Sequence, residues 1–340
     1  MPVTLQQIAN AAGVSRATVD RALKNRGRIN PEVAEKIRRL ADEMGYVPNI
    51  SGRALAFAKR NIQIGVILQF VETPFVQDMA KGLAQAKAHV EQFGCSLLIR
   101  RVYGSDTQRV IMFMEEMREN GVNAIALVPT DDEEIRQEIH KCNEEGIKIV
   151  TFNSDIEDTE RMCFVGQDSV KSGRTAAGIL GDLLSDGGQV AMLSGTKSAI
   201  HKNREKGFRE VLEKYYKNVE LVRITHSGNR IATAANQAEE LLMQYPDLKG
   251  MYISTEGTDE IVRVLNERRL NRKVKVVVQD INGWKTQSLV DGTIDYVIAD
   301  DAHVQGLEPV MILFNYLYHH TEPEQEYKYT DIRIISRFNL

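Results

Sequence analysis

From Asn61 onward the chain repeats one pattern, and that pattern restricts the fold more than any other feature. Short apolar runs alternate with stretches of ten to twenty residues that carry helical apolar spacing. The runs are "IQIGVILQ", "CSLLIR", "AIALVP", "KIVTFNSD", "FVGQD", "QVAMLSG", "LVRITHS", "GMYIST", "KVVVQD" and "YVIAD". A strand that must cross over through a helix before the next strand pairs in parallel, so this is the signature of α/β architecture. Ten such strands exceed one tidy open sheet, and the expectation is two lobes. No apolar run reaches the ~18 residues of a membrane-spanning helix. In folds of this kind ligands bind beyond the carboxyl ends of the strands. Polar residues immediately after each run therefore carry the most information.

The first sixty residues follow a different rule. They hold eleven Lys and Arg against five Asp and Glu, whereas the whole chain has a formal charge of -4. A small basic module precedes a large acidic body, and basic modules attract nucleic-acid phosphate through counterion release. Thr4 with Gln7 three residues later reads as a capping box. Leu5, Ile8, Ala9 and Ala12 follow with helical spacing. Gly13 suits the left-handed turn that ends the helix. Ser15 caps a second helix that buries Val19, Ala22 and Leu23 and turns Arg16, Ala17, Thr18, Arg21 and Asn25 outward. Short or forked side chains on the first turn of such a helix reach base edges in a major groove. A third helix starts at Asn30–Pro31 and ends at Gly45, with Val33, Ile37, Leu40 and Met44 as its apolar stripe.

This module resembles the DNA-binding headpiece of the LacI/GalR transcriptional regulators, through "VTLQQIANAAGVSRATVDRAL", "INPEVAEKIRRLADEMGYVPN" and "ISGRALA". The resemblance implies that Arg16, Ala17 and Arg21 face operator bases, and that Thr4, Ser15, Thr18 and Asn25 face phosphates. Asp20 departs from the family, which usually has serine there. "PNISGRALAFAKR" is similar to the family's hinge helix. In that helix Arg53 and Leu55 would meet the minor groove, the leucine as a wedge that unstacks a base step. Gly52 replaces the usual alanine, at a cost to helix stability of about 1 kcal/mol.

Strand-end residues in the body form the second candidate set. They are Thr73 and Phe75 in "VETPFV", Asn153 and Asp155 in "TFNSD", Gln167 and Asp168 in "VGQD", Glu256 in "STEG", Asp280 in "VQDI", and Asp300 and Asp301 in "IADDAH". Arg204 lies on an early helical turn in "NREKGF". Carboxylates accept from hydroxyls, an arginine donates in a fork, and a flat ring covers a C–H face, which is what a polyol requires. Each of these residue types also serves as an ordinary helix cap or turn residue. The body resembles the two-lobed periplasmic sugar-binding-protein fold, of the ribose and galactose type, through "TPFVQDMAKGLAQA", "FVGQDSVKSGRTAAGIL", "REKGF" and "GTIDYVIADDAHVQG". The resemblance implies effector contacts by Thr73, Phe75, Asn153, Arg204, Glu256, Asp280 and Asp300, with Asp155 added from its strand-end position. Ribose-type members carry Asn where Glu256 stands and Gln where Asp300 stands. The extra acids favour a neutral sugar, a polyol or an amine-bearing sugar over an acidic one.

The expected organisation is an all-α three-helix headpiece at 1–48, a hinge helix at 49–60 and an α/β effector and dimerisation domain at 61–340 with two parallel doubly wound sheets. Its N-lobe is expected at about 61–160 and 295–322, and its C-lobe at about 161–294 and 323–340. The function this implies is a sequence-specific regulator, a repressor in the first instance, that binds a pseudo-palindromic operator as a homodimer and is controlled by a small sugar or polyol. An activator or corepressor-dependent variant shares every one of these features. An enzyme is disfavoured, because P-loop, GxSxG and HExxH motifs are absent. His201 reads as a pocket-rim or surface residue. A secreted sugar-binding protein is disfavoured by the basic module and by an N-terminus without an apolar signal core, so a cytoplasmic location is expected. Cys95, Cys142 and Cys163 are widely spaced and read as buried thiols. No cofactor or metal is expected.

Overall fold

The computed structural model describes residues 3–23, 29–46, 62–70, 73–104, 106–196, 198–280 and 283–340. The chain divides into two compact units, Met1–Ala56 and Phe57–Leu340.

Among its described residues the first unit contains three helices, α1 (Leu5–Ala12), α2 (Arg16–Leu23) and α3 (Pro31–Glu43). Its core is Ile8, Ala9, Ala12, Val19, Ala22, Ala34, Ile37 and Ala41. Five of these eight are alanines, because three short helices crossing closely leave little room between their backbones. This corrects the expected stripe on α3: Ile37 is fully buried, while Val33, Leu40 and Met44 pack around it half-exposed.

Among its described residues the second unit contains twelve strands in two six-stranded sheets. The N-lobe strands are β1 (Gln63–Phe70), β2 (Ser96–Tyr103), β3 (Ala124–Leu127), β4 (Lys148–Phe152), β5 (Cys163–Gln167) and β11 (Tyr327–Thr330), in the order β11-β5-β4-β3-β1-β2. The C-lobe strands are β6 (Gly188–Ser194), β7 (Val219–His226), β8 (Leu248–Ser254), β9 (Lys275–Gln279), β10 (Tyr296–Ala299) and β12 (Arg333–Ile335), in the order β12-β10-β9-β8-β6-β7. All ten expected strands are present, and all pair in parallel. The two short edge strands β11 and β12 were not evident as apolar runs, and β12 runs antiparallel to β10.

Helices cover both faces of each sheet. In the N-lobe they are α4 (Pro74–Glu91), α5 (Thr107–Glu119), α6 (Glu133–Glu144) and α12 (Ala302–His319); in the C-lobe they are α7 (Ser169–Leu183), α8 (Ala199–Tyr215), α9 (Ile231–Gln244), α10 (Thr258–Glu267) and α11 (Gly283–Asp291). Each sheet thus separates two apolar layers, as parallel sheets require.

The lobe boundaries differ from those expected. Strand β5 pairs with β4 through Val150–Cys163 and Phe152–Val165, so the first crossing follows Gln167 and not residue 160. Strand β10 pairs with β9, so the second crossing follows Ala299 and not residue 295. Strand β11 pairs with β5, which places the last crossing between Thr330 and Arg333 and not at 322. An apolar run looks the same whichever sheet it joins, and only its pairing partner decides the lobe.

Candidate functional site

In the first unit, the side-chain oxygen of Thr4 accepts from the Gln7 backbone, and the Gln7 side chain accepts from the Thr4 backbone at 2.8 Å, which completes the capping box. Gly13 ends α1 with φ 72. Ser15 Oγ accepts from the Thr18 backbone at 3.1 Å and lies 2.8 Å from the Thr18 hydroxyl, so it caps α2. Val19 and Ala22 bury the opposite face. Arg16, Ala17 and Arg21 are exposed, and Arg21 Nε donates to the Ala17 carbonyl at 3.2 Å. Three exposed groups of a basic helix thus share one face, while Thr4 and Ser15 mark the two helix starts. Asn25, Arg53 and Leu55 lie outside the described residues.

The second unit has a cleft of about 280 Å³ lined by Pro74, Phe75, Gln77, Asp78 and Lys81 of α4, by Asp280, Asp300 and Ala302, and by Arg333 of β12. Of the expected residues, it brings together Phe75, Asp280 and Asp300. Thr73 stands next to it as the cap of α4, accepting from the Val76 backbone at 3.3 Å. Both cations in the cleft wall face an acid: Lys81 is 3.2 Å from Asp78, and Arg333 is 4.0 Å from Asp301.

Asp300 is the most constrained acid. One oxygen accepts from Thr330 Oγ1 at 2.6 Å and from the Asp301 backbone at 2.7 Å, and the other accepts from Gln305 Nε2 at 2.6 Å. Burial, with the nearby Asp280 charge adding to it, pushes its carboxyl up to about 6. At pH 7 a group with that pKa is mostly ionised and accepts from hydroxyls, and near pH 6 its protonated form also donates.

Asn153 and Asp280 occupy matching places, each one residue beyond its strand with φ 60. Their backbone N–H groups donate to Val165 and Ile298 on the next strand at 3.0 and 2.8 Å. Left-handed backbone at non-glycine residues is strained, and here it occurs at two strand ends that face ligand in folds of this kind.

Asp155 departs from expectation. Its carboxylate is forked by Arg161 at 2.6 and 2.7 Å and accepts from Thr151 at 2.6 Å. It belongs to a buried ion pair within the N-lobe and does not line the cleft. Glu256 is exposed two residues beyond β8 and also lies outside the cleft wall. Asp168 and Asp301 cap α7 and α12, accepting from the Lys171 and Val304 backbones.

Arg204 does not line the cleft, but its charge acts on Asp300 in the cleft wall. It is 8% exposed, donates to Ser254 Oγ and Gln167 Oε1 at 3.4 Å each, and its Nε has no partner. No ion pair to Arg204 is present among the described residues. A buried cation with two long bonds and an unused donor is costly unless a ligand completes it. His201, three residues earlier, is buried rather than on the rim. Burial, with help from the Arg204 and His226 charges, pushes its imidazole down to about 3, so it stays neutral.

The buried amides Gln167 and Gln279 joining these groups were missed as a pair. Their only sequence signal is an amide ending an otherwise apolar strand, in "VGQ" and "KVVVQ".

Both units are similar to known proteins. Residues 64–321 match the family described as a periplasmic binding protein domain, and residues 4–49 match bacterial regulatory proteins of the lacI family. The chain belongs to the LacI family. It is 29% identical over 216 residues to the HTH-type transcriptional regulator DegA of Bacillus subtilis, covering 63% of this chain and 61% of DegA. It is 24% identical over 314 residues to the ribose operon repressor of Lactococcus lactis, covering 92% of this chain and 90% of that repressor. This LacI-family chain also shares its fold with a solute-binding protein of Burkholderia graminis in complex with D-arabinose, with a TM-score of 0.74, 23% identity, and coverage of 82% of this chain and 96% of that one. No helix among the described residues is long and apolar enough to cross a membrane.

Proposed function

We propose that this protein is a sequence-specific DNA-binding regulator, a repressor whose operator affinity is set by a small sugar or polyol. One observation carries the reading: the chain joins a capped helix-turn-helix that presents Arg16, Ala17 and Arg21 to a two-lobed body whose cleft holds an aromatic ring and three carboxyl groups. Base readout falls to Arg16, Ala17 and Arg21, and phosphate contact to Thr4, Ser15 and Thr18, with Asn25 extending that set. Arg53 and Leu55 serve the minor groove. Two copies of the chain read the half-sites of a pseudo-palindrome as a homodimer.

Effector recognition uses Phe75 against the C–H face of the ligand, with Asp280 and Asp300 taking its hydroxyls. Thr73 and Asn153 border that site, and Arg204 donates to it. A neutral or amine-bearing polyol suits this set. The near-neutral carboxyl of Asp300 pairs with hydroxyls, and the Lys81 and Arg333 cations face acids of their own. Effector and operator oppose each other by a shared coupling free energy, so each weakens the other's binding by the same factor.

Selection of duplexes from a random pool by the full chain tests the DNA half. We expect an enriched pseudo-palindrome, and Arg16→Ala should lower the ratio of selected to random DNA affinity by about ten- to a hundredfold. Failure to enrich any sequence sinks the DNA reading, and an unchanged ratio removes Arg16 from base contact. Releasing the selected duplex with a panel of neutral sugars, polyols, amino sugars and sugar acids tests the effector half. Release by sugar acids alone contradicts the polyol reading.

A further inference from the structure

Gln167 is the last residue of β5 and Gln279 the last residue of β9, so the two stand at strand ends of opposite lobes. Both are buried, at 4% and 5% exposure. Gln279 Nε2 donates to Gln167 Oε1 at 2.9 Å. Among the described residues, every hydrogen bond of the Gln167 side chain goes to the C-lobe. Its oxygen also accepts from Arg204 Nη2 at 3.4 Å, and its Nε2 donates to the Ala299 carbonyl at 3.5 Å. Gln279 Oε1 accepts from Ser172 Oγ and Tyr252 OH at 3.0 Å each.

The chemistry of the partners sets the direction of this chain of bonds. A guanidinium only donates, and a backbone carbonyl only accepts. Arg204 therefore requires the carbonyl end of Gln167, and Ala299 requires its NH2 end. With that amide oriented, Gln279 must present NH2 to it and its carbonyl to the two hydroxyls. Neither amide can flip alone without setting two acceptors or two donors face to face.

The place of the pair matters as much as its polarity. The lobes are joined by crossings after Gln167, after Ala299 and after Thr330. Gln167 ties the first to the second through Ala299, and Asp300 ties the second to the third through Thr330. Any rotation of one lobe against the other pivots at these crossings.

We infer that Gln167 and Gln279 form an interlobe latch, with Gln167 the positioning residue that holds Arg204 from the opposite lobe. A ligand oxygen that bridges the unused Nε and the adjacent Nη2 of Arg204 takes the donor that Gln167 now accepts from. Filling the cleft and releasing the latch are then one event. The inference rests on the reading of the cleft as an effector site, but its test requires neither effector nor DNA.

The test is the interlobe distance distribution of the full chain, measured by spin labels at Glu133→Cys and Asp259→Cys. These exposed positions lie on the first turns of α6 and α10, one in each lobe. The three native cysteines are buried, and burial pushes Cys95 and Cys142 up to about 12, so the introduced thiols take the label. Gln167→Leu should shift or broaden the distribution by several ångström relative to the parent. Gln167→Glu keeps the acceptor that Arg204 and Gln279 need but loses the long bond to the Ala299 carbonyl, and should shift the distribution less than Gln167→Leu. Gln279→Glu sets an acceptor against Gln167 Oε1 and should resemble Gln167→Leu. An unchanged distribution in a folded Gln167→Leu protein overturns the latch. If that variant does not fold, the two glutamate variants decide, because equal behaviour of both overturns the directional chain. Should sugars fail to release DNA while the glutamate variants differ as expected, the effector reading falls and the latch stands.

Discussion

The two lobes of the body share one scaffold and divide the chemistry between them. In the N-lobe, α4 crosses α12 at Gly82 and Gly306, where an added Cβ would lie 2.0 Å from the His303 carbonyl oxygen and 1.9 Å from that of Met79. In the C-lobe, α8 crosses α7 at Gly207 and Gly173, 2.0 Å from the carbonyl oxygens of Val170 and Arg204. The crossings superimpose in sequence terms, so Met79 and Arg204 hold matching seats three residues before their glycines. One seat holds a core methionine at 2% exposure, the other a cation at 8%. The backbone offers the same burial in both lobes, but only the C-lobe spends it on a charge. Burying a charge without a full set of partners is unfavourable for folding, so its presence points to the ligand.

The largest expected effect tests whether the crossings are equivalent. Gly306→Val and Gly173→Val each drive a side chain into backbone, which cannot move aside as a flexible side chain does. Overpacking usually costs about 1–3 kcal/mol, and these substitutions should reach or exceed the upper end, read as loss of soluble folded protein or a large fall in melting temperature. Tolerance at one crossing but not the other breaks the equivalence.

A smaller effect tests a feature the N-lobe holds alone. The Arg161 side chain is 2% exposed and forks Asp155, with Tyr327 beneath its guanidinium at 4.7 Å. Arg161→Ala leaves the partly buried Asp155 carboxylate with the Thr151 hydroxyl as its remaining side-chain donor among the described residues, a change that costs about 1–3 kcal/mol. Denaturant unfolding of the full chain should show this loss. Effector binding should be unaffected in protein that remains folded, since Asp155 lies away from the cleft wall; a selective loss of binding would return Asp155 to the site.

The same contrast explains what was legible in the sequence. The ten central strands announce themselves because a doubly covered parallel strand must be apolar throughout. Edge strands β11 and β12 are short and half-exposed, as "YKYT" and "RII", and carry no such run. The first-unit caps were legible because Thr4, Ser15 and Asn30 act on neighbours two or three residues away. Phe75, Asp280 and Asp300 were legible as strand-end groups. The role of Asp155 was not, because Arg161 is an equally good partner and only the fold decides between it and a ligand. The amide pair was hidden for a related reason: Gln167 and Gln279 are 112 positions apart, and nothing local marks either as the other's partner.

The smallest effect concerns the matching strand-end positions Gln167 and Asp300, each directly before the aspartate that caps the next helix. One is a neutral amide and the other a carboxyl raised to about 6. For an acid whose folded pKa lies above its unfolded value, the stabilising contribution is full below the unfolded value, near 3.8 here, and is lost as pH rises through about 6. Between pH 7 and pH 5 the parent should therefore gain about 1 kcal/mol from this group. Asp300→Asn removes the titrating group and makes that position resemble Gln167, so its stability should be flatter over the same window. Denaturant midpoints of the two proteins at pH 7, 6 and 5 measure the difference directly. Parallel profiles would mean that Asp300 titrates as an ordinary surface acid, and the near-neutral carboxyl on which the polyol reading leans would be lost with it.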